Sequence, residues 1–315
     1  MKKVSLLAVA GLFASLLAPV GAATFTENFT RDPAADGWQI FGNTNLFRWD
    51  SANQVLDVTW DSTQTNSYFY LPLGKTCTKA DSFYLRFDLQ LNDATNFNSG
   101  MELAIGLLHF SDATNSSFSR ANFDSPNVCE FDYFPRYVYD GKPYPDSVDA
   151  TIIDASGWNT YFAFDNFTLN PGVAYRIELA HQAGAGAISC EVSTNGQIIS
   201  SLPNIYGSAG DFQLDVLSIT SYSDDGSGDS ILAHGTVSNL AFATPLPIEF
   251  IQPPAAAQIQ FVSDTNWVYT LQGSADLINW TAVAPGVFGN GTNLLLQATN
   301  PPCGAEYYRV SAELP

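Results

Sequence analysis

Hydrophobic and polar positions alternate with period two along most of the chain. Phe83, Leu85, Phe87, Leu89 and Leu91 alternate with Tyr84, Arg86, Asp88 and Gln90, which predicts a strand with one face in a core and the other toward water or a partner. Met101, Leu103, Ile105 and Leu107 repeat the pattern, as do Tyr175, Ile177 and Leu179 against Arg176 and Glu178. Phe212, Leu214 and Val216 alternate with Gln213 and Asp215 in the same way. Polar turn clusters separate these runs, among them Asn170-Pro171-Gly172 and Thr194-Asn195-Gly196. No long stretch carries a helical period. The pattern predicts an all-β chain of many antiparallel strands whose sheets close over apolar faces as a sandwich or barrel.

Two segments interrupt the pattern and divide the chain. Met1-Lys2-Lys3, a 14-residue apolar run from Val4 to Leu17 and the small residues at 20–23 have the three parts of a secretory signal peptide over 1–23. The run is short of the ~20 residues that span a hydrocarbon layer, so the expected mature chain starts near Thr24, is secreted or at the cell surface, and has no transmembrane segment. Prolines 245, 247, 253 and 254 mark an extended linker over 244–257, because proline cannot donate to a sheet ladder. That leaves one large domain over 24–243 and a small β module over 258–315. Strands are expected there near 267–272, 294–298 and 307–310, with Trp267 and Trp280 in the module's core.

Charge and cysteine content narrow the function. The 315 residues carry 12 Lys+Arg against 31 Asp+Glu, a net charge of −19, which excludes a nucleic-acid binder. Cys77, Cys129, Cys190 and Cys303 allow three disulfide pairings, and Cys129 and Cys190 both fall on the inward parity of their strands. A disulfide between these two and a pair of buried small side chains are both open readings. Of the histidines His109, His181 and His234, His109 and His181 read as packed or rim residues rather than bases, and no cysteine and histidine spacing suggests zinc.

Candidate chemistry concentrates in three places. Glu130 and Asp132 stand two apart on a strand, so they share a face with Cα atoms ~6.6 Å apart, within reach of paired-carboxylate chemistry. Arg86 or Arg176 from a neighbouring strand would instead neutralise them. The run Ser223-Asp224-Asp225-Gly226-Ser227-Gly228-Asp229 offers Asp224, Asp225 and Asp229 to calcium, with a solvated polar hairpin as the alternative. Residues 133–145 hold five aromatics and three prolines in a loop-like stretch, where Phe134, Tyr137, Tyr139 and Tyr144 suit the apolar faces of sugar rings.

Residues 24–243 resemble the concanavalin A-like lectin/glucanase superfamily, of the LamG-like kind found in exported bacterial proteins. The resemblance rests on Asn28-Phe29 with Gly37-Trp38, the alternating strand at 83–91, the runs Glu130-Phe131-Asp132-Tyr133-Phe134-Pro135 and 169–177, and the closing stretch 231–237. The tail resembles a small immunoglobulin-like accessory module. These resemblances imply a jelly-roll β-sandwich followed by a small C-terminal β module. In the laminarinase-type hydrolases of the superfamily Glu130 would be the nucleophile and Asp132 its assistant, but Phe134 and Pro135 stand where the acid belongs. The expected function is therefore a non-catalytic module recognising a polysaccharide or glycan through Arg86, Asp88, Glu130, Asp132, Phe134, Tyr137, Tyr139 and Tyr144. A divergent hydrolase using Glu130 and Asp132, and a structural surface protein without a glycan ligand, are the alternatives.

Overall fold

The computed structural model describes residues 24–96, 100–122, 124–139, 141–244, 258–263, 265, 267–275, 280–298 and 307–313. The leader at 1–23, most of the linker and Cys303 lie outside them. The first strands are β1 (Thr24–Glu27), β2 (Gln39–Phe41), β3 (Phe47–Asp50), β4 (Val55–Asp61), β5 (Ser67–Thr78) and β6 (Phe83–Asn96). Then come β7 (Leu103–Leu108), one helical turn α1 (Phe110–Ala113), β8 (Val128–Phe134), β9 (Tyr137–Tyr139), β10 (Lys142–Tyr144), β11 (Ser147–Ile153) and β12 (Thr160–Asp165). The large domain closes with β13 (Ala174–His181), β14 (Ser189–Thr194), β15 (Gln197–Ser200), β16 (Asn204–Gly207), β17 (Gln213–Ser221) and β18 (Ile231–Ala243).

These strands form a jelly-roll sandwich of two antiparallel sheets. The first sheet runs β15-β14-β13-β6-β18-β4-β3, with β1 also on β18, and the second runs β16-β12-β11-β8-β7-β17-β5-β2. Consecutive strands such as β5, β6 and β7 alternate between the sheets, so each crossing carries the chain over the shared core. Phe83, Leu85, Phe87, Leu89 and Leu91 are buried there as their parity requires. Phe87 meets Phe131 of the second sheet edge to face, with ring centroids 5.9 Å apart.

The alternation expected through Phe212, Leu214 and Val216 breaks at Asp215. Leu214 pairs with Cys77 but Val216 pairs with Pro72, so residues 73–76 of β5 bulge out of the ladder. The bulge exchanges the faces of β17: Leu217 and Ile219 continue inward beside Leu107 and Ile105. A one-residue slip leaves no mark on composition, and the run of apolar residues hides it.

Cys77, Cys129 and Cys190 are buried free thiols, so the Cys129–Cys190 disulfide is not formed. Burial pushes the Cys77 thiol up to about 12, which keeps it a protonated apolar filler. His181 is packed, its ring stacked on Phe83 at 4.9 Å and its two nitrogens facing the carbonyls of Asp81 and Ala185 at 2.8 and 2.9 Å. Among the described residues no helix is long and apolar enough to cross a membrane.

The tail holds β19 (Gln258–Val262), β20 (Val268–Ser274), β21 (Thr281–Ala282), β22 (Val287–Phe288), β23 (Asn293–Gln297) and β24 (Tyr307–Glu313). Trp267, Tyr269, Leu271, Val283 and Leu296 form its core, which also takes in Tyr84, with Ala180 packed against it, from the outer face of the first sheet. The small module thus leans on its neighbour, as a core of this size needs. Trp280 is only partly buried and carries the Arg309 guanidinium over its ring at 4.4 Å.

Strand β7 is buried on both faces, which constrains Gly106 at its centre. A Cβ there would collide with the backbone and Cβ of Glu130 and the carbonyl of Cys129. Gly106→Ala is expected to destabilise the domain by about 1–3 kcal/mol, read as a lowered midpoint in urea.

Candidate functional site

Register places the candidate carboxylates. On β8, Phe131 faces the other sheet, so Glu130 and Asp132 project from the opposite, outer face of the second sheet. Across the ladder Asp132 pairs with Asp149 of β11, and Asp149 with Phe164 of β12. The next row holds Glu130, Thr151 and Phe162 in the same order, and Phe162 pairs with Tyr206 of β16. A single face therefore presents carboxylates at its centre and aromatic rings toward the β16 edge.

The centre is closed. Glu130 and Asp132 are 1% and 0% exposed, and the side chain of Arg120, from the loop between α1 and β8, lies over them. Its Nε stands 2.8 Å from Glu102 Oε1, and its Nη2 stands 3.2 Å from Glu130 Oε1 and 3.5 Å from Asp132 Oδ2. Tyr222 donates its hydroxyl to Glu130 Oε2 at 2.7 Å, and Thr151 donates to Asp132 Oδ2 at 2.7 Å. The Tyr222 ring also lies 5.6 Å beneath the guanidinium. Oxygens of Glu102, Glu130 and Asp132 come within 4.8 Å of one another, the closeness of a metal-ligand group, and the cation set among them is Arg120.

One guanidinium cannot balance this many buried carboxylates, so protons do the rest. Burial alone would lower the Arg120 pKa, but Glu102, Glu130 and Asp132 hold it above its ordinary value. Burial, reinforced by the charge of Asp132, raises the Glu130 carboxyl well above the usual carboxylate range. Burial pushes Asp132 up to about 7 against the pull of Arg120. Asp149 is likewise pushed up to about 7, by burial and then by Asp132.

Neither Arg86 nor Arg176 caps these carboxylates. Both stand on the outer face of the first sheet, where Arg86 pairs with Glu178 in register and Arg176 forms a two-pronged pair with Asp88 at 2.8 and 3.0 Å. Arg86 and Asp88 are thus separated from Glu130 and Asp132 by the whole core. The expected loop at 133–145 is a hairpin: β9 pairs with β10, and Tyr137 stacks on Tyr144 with centroids 5.1 Å apart and planes 7° from parallel. Tyr139 occupies a position in β9 opposite Lys142. Phe134 shares the outer parity of Glu130 and approaches Tyr137 at 6.4 Å.

In the acidic loop the carboxylates of Asp224 and Asp225 are held by donors of the protein itself. Asp224 is buried and spends its oxygens on Gly226 N at 2.8 Å and Ser230 Oγ at 2.6 Å. Asp225 accepts from Ser119 Oγ and, at 3.2 Å, from Asn122 Nδ2. Asp229 closes the turn, its N–H donating to Ser227 Oγ. The use of Asp225 is thus to pin the loop that carries Arg120 on both sides of that residue.

Sequence reasoning did not single out Glu102, Arg120, Asp149, Phe162, Phe164, Tyr206 or Tyr222 for this face. The rings of Phe162, Phe164 and Tyr206 lie nearly parallel, 5.0 to 6.2 Å apart. Phe162 and Phe164 are half-buried and Tyr206 is 53% exposed. The period-two run Tyr161-Phe162-Ala163-Phe164 puts the two phenylalanines on one face, a signal present in the sequence; the long-range pairing that brings Tyr206 beside them is not.

No family's sequence model matches the chain, and no curated protein matches it. Among solved structures, lectin II from Ulex europaeus is similar at 14% identity over 72% of this chain and 99% of that one, with a TM-score of 0.46. A peanut lectin with a nine-residue peptide gives 12% over 72% and 98%, with 0.45. The basic winged bean lectin with Tn-antigen gives 15% over 72% and 99%, with 0.43. At such values the likeness carries nothing about a ligand, and the fold assignment stands on the strand order of the chain itself.

Removing Arg120 leaves three buried carboxyls without their cation. Arg120→Met is expected to cost about 3–5 kcal/mol in a urea titration, and Arg120→Lys to recover only part of it, because a single ammonium nitrogen cannot occupy the separate positions of Nε beside Glu102 and Nη2 beside Glu130 and Asp132.

The same cluster fixes a pH dependence. Asp132 and Asp149 bind protons more tightly folded than unfolded, where Asp titrates near ~3.9. The folded state thus holds more protons between about 4 and about 7, so stability falls as pH rises through that window. Thermal midpoints measured from pH 4 to pH 8 should decline, and Asp149→Asn should flatten the curve.

Proposed function

We propose that the chain is an exported, non-catalytic module that binds a polysaccharide or glycan on the outer face of the second sheet. The observation that carries this reading is the stacked cluster of Phe162, Phe164 and Tyr206, with Tyr206 53% exposed, beside the half-buried Asp149. Sugar rings have apolar faces and hydroxylated edges, and an exposed aromatic ring next to a hydrogen-bonding group complements both. The stacked Tyr137 and Tyr144 of the hairpin, with Tyr144 40% exposed, add a second aromatic wall near Asp149.

Catalysis by Glu130 and Asp132 is disfavoured by the same geometry. A general acid or a nucleophile must come within hydrogen-bond reach of the reacting atoms, and both carboxyl groups lie beneath Arg120. Export follows from the leader expected at 1–23, and the strongly acidic chain disfavours anionic polymers as ligands.

The test is an array of uncharged and acidic polysaccharides probed with the mature protein, with and without calcium, together with a reducing-end assay on the same polymers. Binding of an uncharged polymer without turnover is expected, weakened about tenfold or more by Tyr206→Ala and unaffected by calcium. Release of reducing sugar that vanishes in Glu130→Gln would overturn the reading in favour of a hydrolase, and silence in both assays would favour a structural surface protein.

A further inference from the structure

The bulge in β5 builds a second concavity on the outer face of the second sheet, at its opposite edge. By lifting residues 73–76 out of the ladder it opens a groove of about 500 Å3 between the bulge, β2 and α1. Tyr70 and Phe110 supply its aromatic surface, their rings stacked at 4.4 Å. Gln39, Lys75, Thr76 and Asp215 supply its polar groups.

The groove is held in shape by its own lining. Tyr70 donates its hydroxyl to Gln39 Oε1 at 2.9 Å, which fixes the amide and leaves its N–H2 to donate. Asp215, the residue at the slip of β17, accepts the N–H of Phe110 at 2.7 Å and so sets the ring. Lys75 is paired with Asp81 at 3.0 Å, and Asp215 faces His109 Nε2 at 3.7 Å. Lys75 and Asp215 are the charged residues of its lining, one of each sign, so the groove offers rings, an amide and a hydroxyl rather than a net charge, a combination suited to an uncharged hydroxylated ligand.

We infer that the Tyr70–Phe110 groove is a second sugar subsite, and that one uncharged polysaccharide chain spans it and the Phe162, Phe164 and Tyr206 platform. This rests on the glycan-binding reading above. Strands β12 and β5 are five positions apart in the sheet, which at about 4.8 Å per strand separates the two aromatic sites by about 24 Å. The pinned loop that carries Arg120 covers the strands between them, so neither site extends continuously into the other. A short oligosaccharide then reaches one site only. A chain long enough to cross the loop engages both, and the second contact is made at high effective concentration.

The experiment is calorimetric titration of the wild-type mature protein with the uncharged polymer that binds on the array and with its oligomers of increasing length. Affinity is expected to stay weak for short oligomers and then to rise by about 100-fold or more once the chain spans both sites. Phe110→Ala, and independently the exposed-surface change Gln39→Ala, should remove most of that rise while leaving the affinity of short oligomers within a few-fold. A length dependence unchanged in both variants, with Tyr206→Ala still weakening binding, would overturn the second subsite and leave the first standing. Absence of binding to every polymer would overturn both.

Discussion

The large domain is organised around one buried cation. The guanidinium of Arg120 stands within 2.8 to 3.5 Å of oxygens on Glu102, Glu130 and Asp132, in a position water barely reaches. Desolvating such a group is expensive, and only close opposite charges with further hydrogen bonds repay it. Tyr222 and Thr151 provide those bonds, and burial raises the pKa values of Glu130 and Asp132 against the charge that one cation leaves over. The loop that delivers Arg120 must in turn be held, which is what Asp225, Asn66 and Asn127 do through Ser119, Phe118 and Asp112.

That arrangement limits access to the second sheet. Its central strands are buried on both faces, so nothing from outside approaches Glu130 or Asp132. The accessible parts are the two flanks: the parallel rings near β16 and the groove beside β5. Both owe their form to backbone features rather than to individual side chains. The first depends on alternate parity along β12, the second on the slip that displaces residues 73–76.

Much of the fold was legible because apolar alternation is a local signal. The strand at 83–91 and the inward turn of Phe131 and Tyr133 follow from parity, and with them the shared outward face of Glu130 and Asp132. What covers that face is not local. Arg120 lies in a polar stretch with no periodicity, ten residues upstream of Glu130, and only the folded loop brings it over the carboxylates. Arg86 and Arg176 looked equally suitable because sequence gives each strand's parity but not which sheet it joins. The acidic run at 224–229 resembled a cation loop in composition, yet the carboxylates of Asp224 and Asp225 accept from nearby N–H and hydroxyl donors. The slip at Asp215 was invisible for the same reason, since Leu214, Val216 and Leu217 are apolar on either side of it.

The central claim is that Glu130 and Asp132 are internal structural acids. Carbodiimide coupling of an amine to exposed carboxyl groups, mapped by mass spectrometry on the native protein, measures this directly. Asp93, whose side chain is 61% exposed, should be modified readily, and Glu130 and Asp132 should stay unmodified until the protein is unfolded. Modification of Glu130 or Asp132 at a rate like that of Asp93 in the native state would contradict the account.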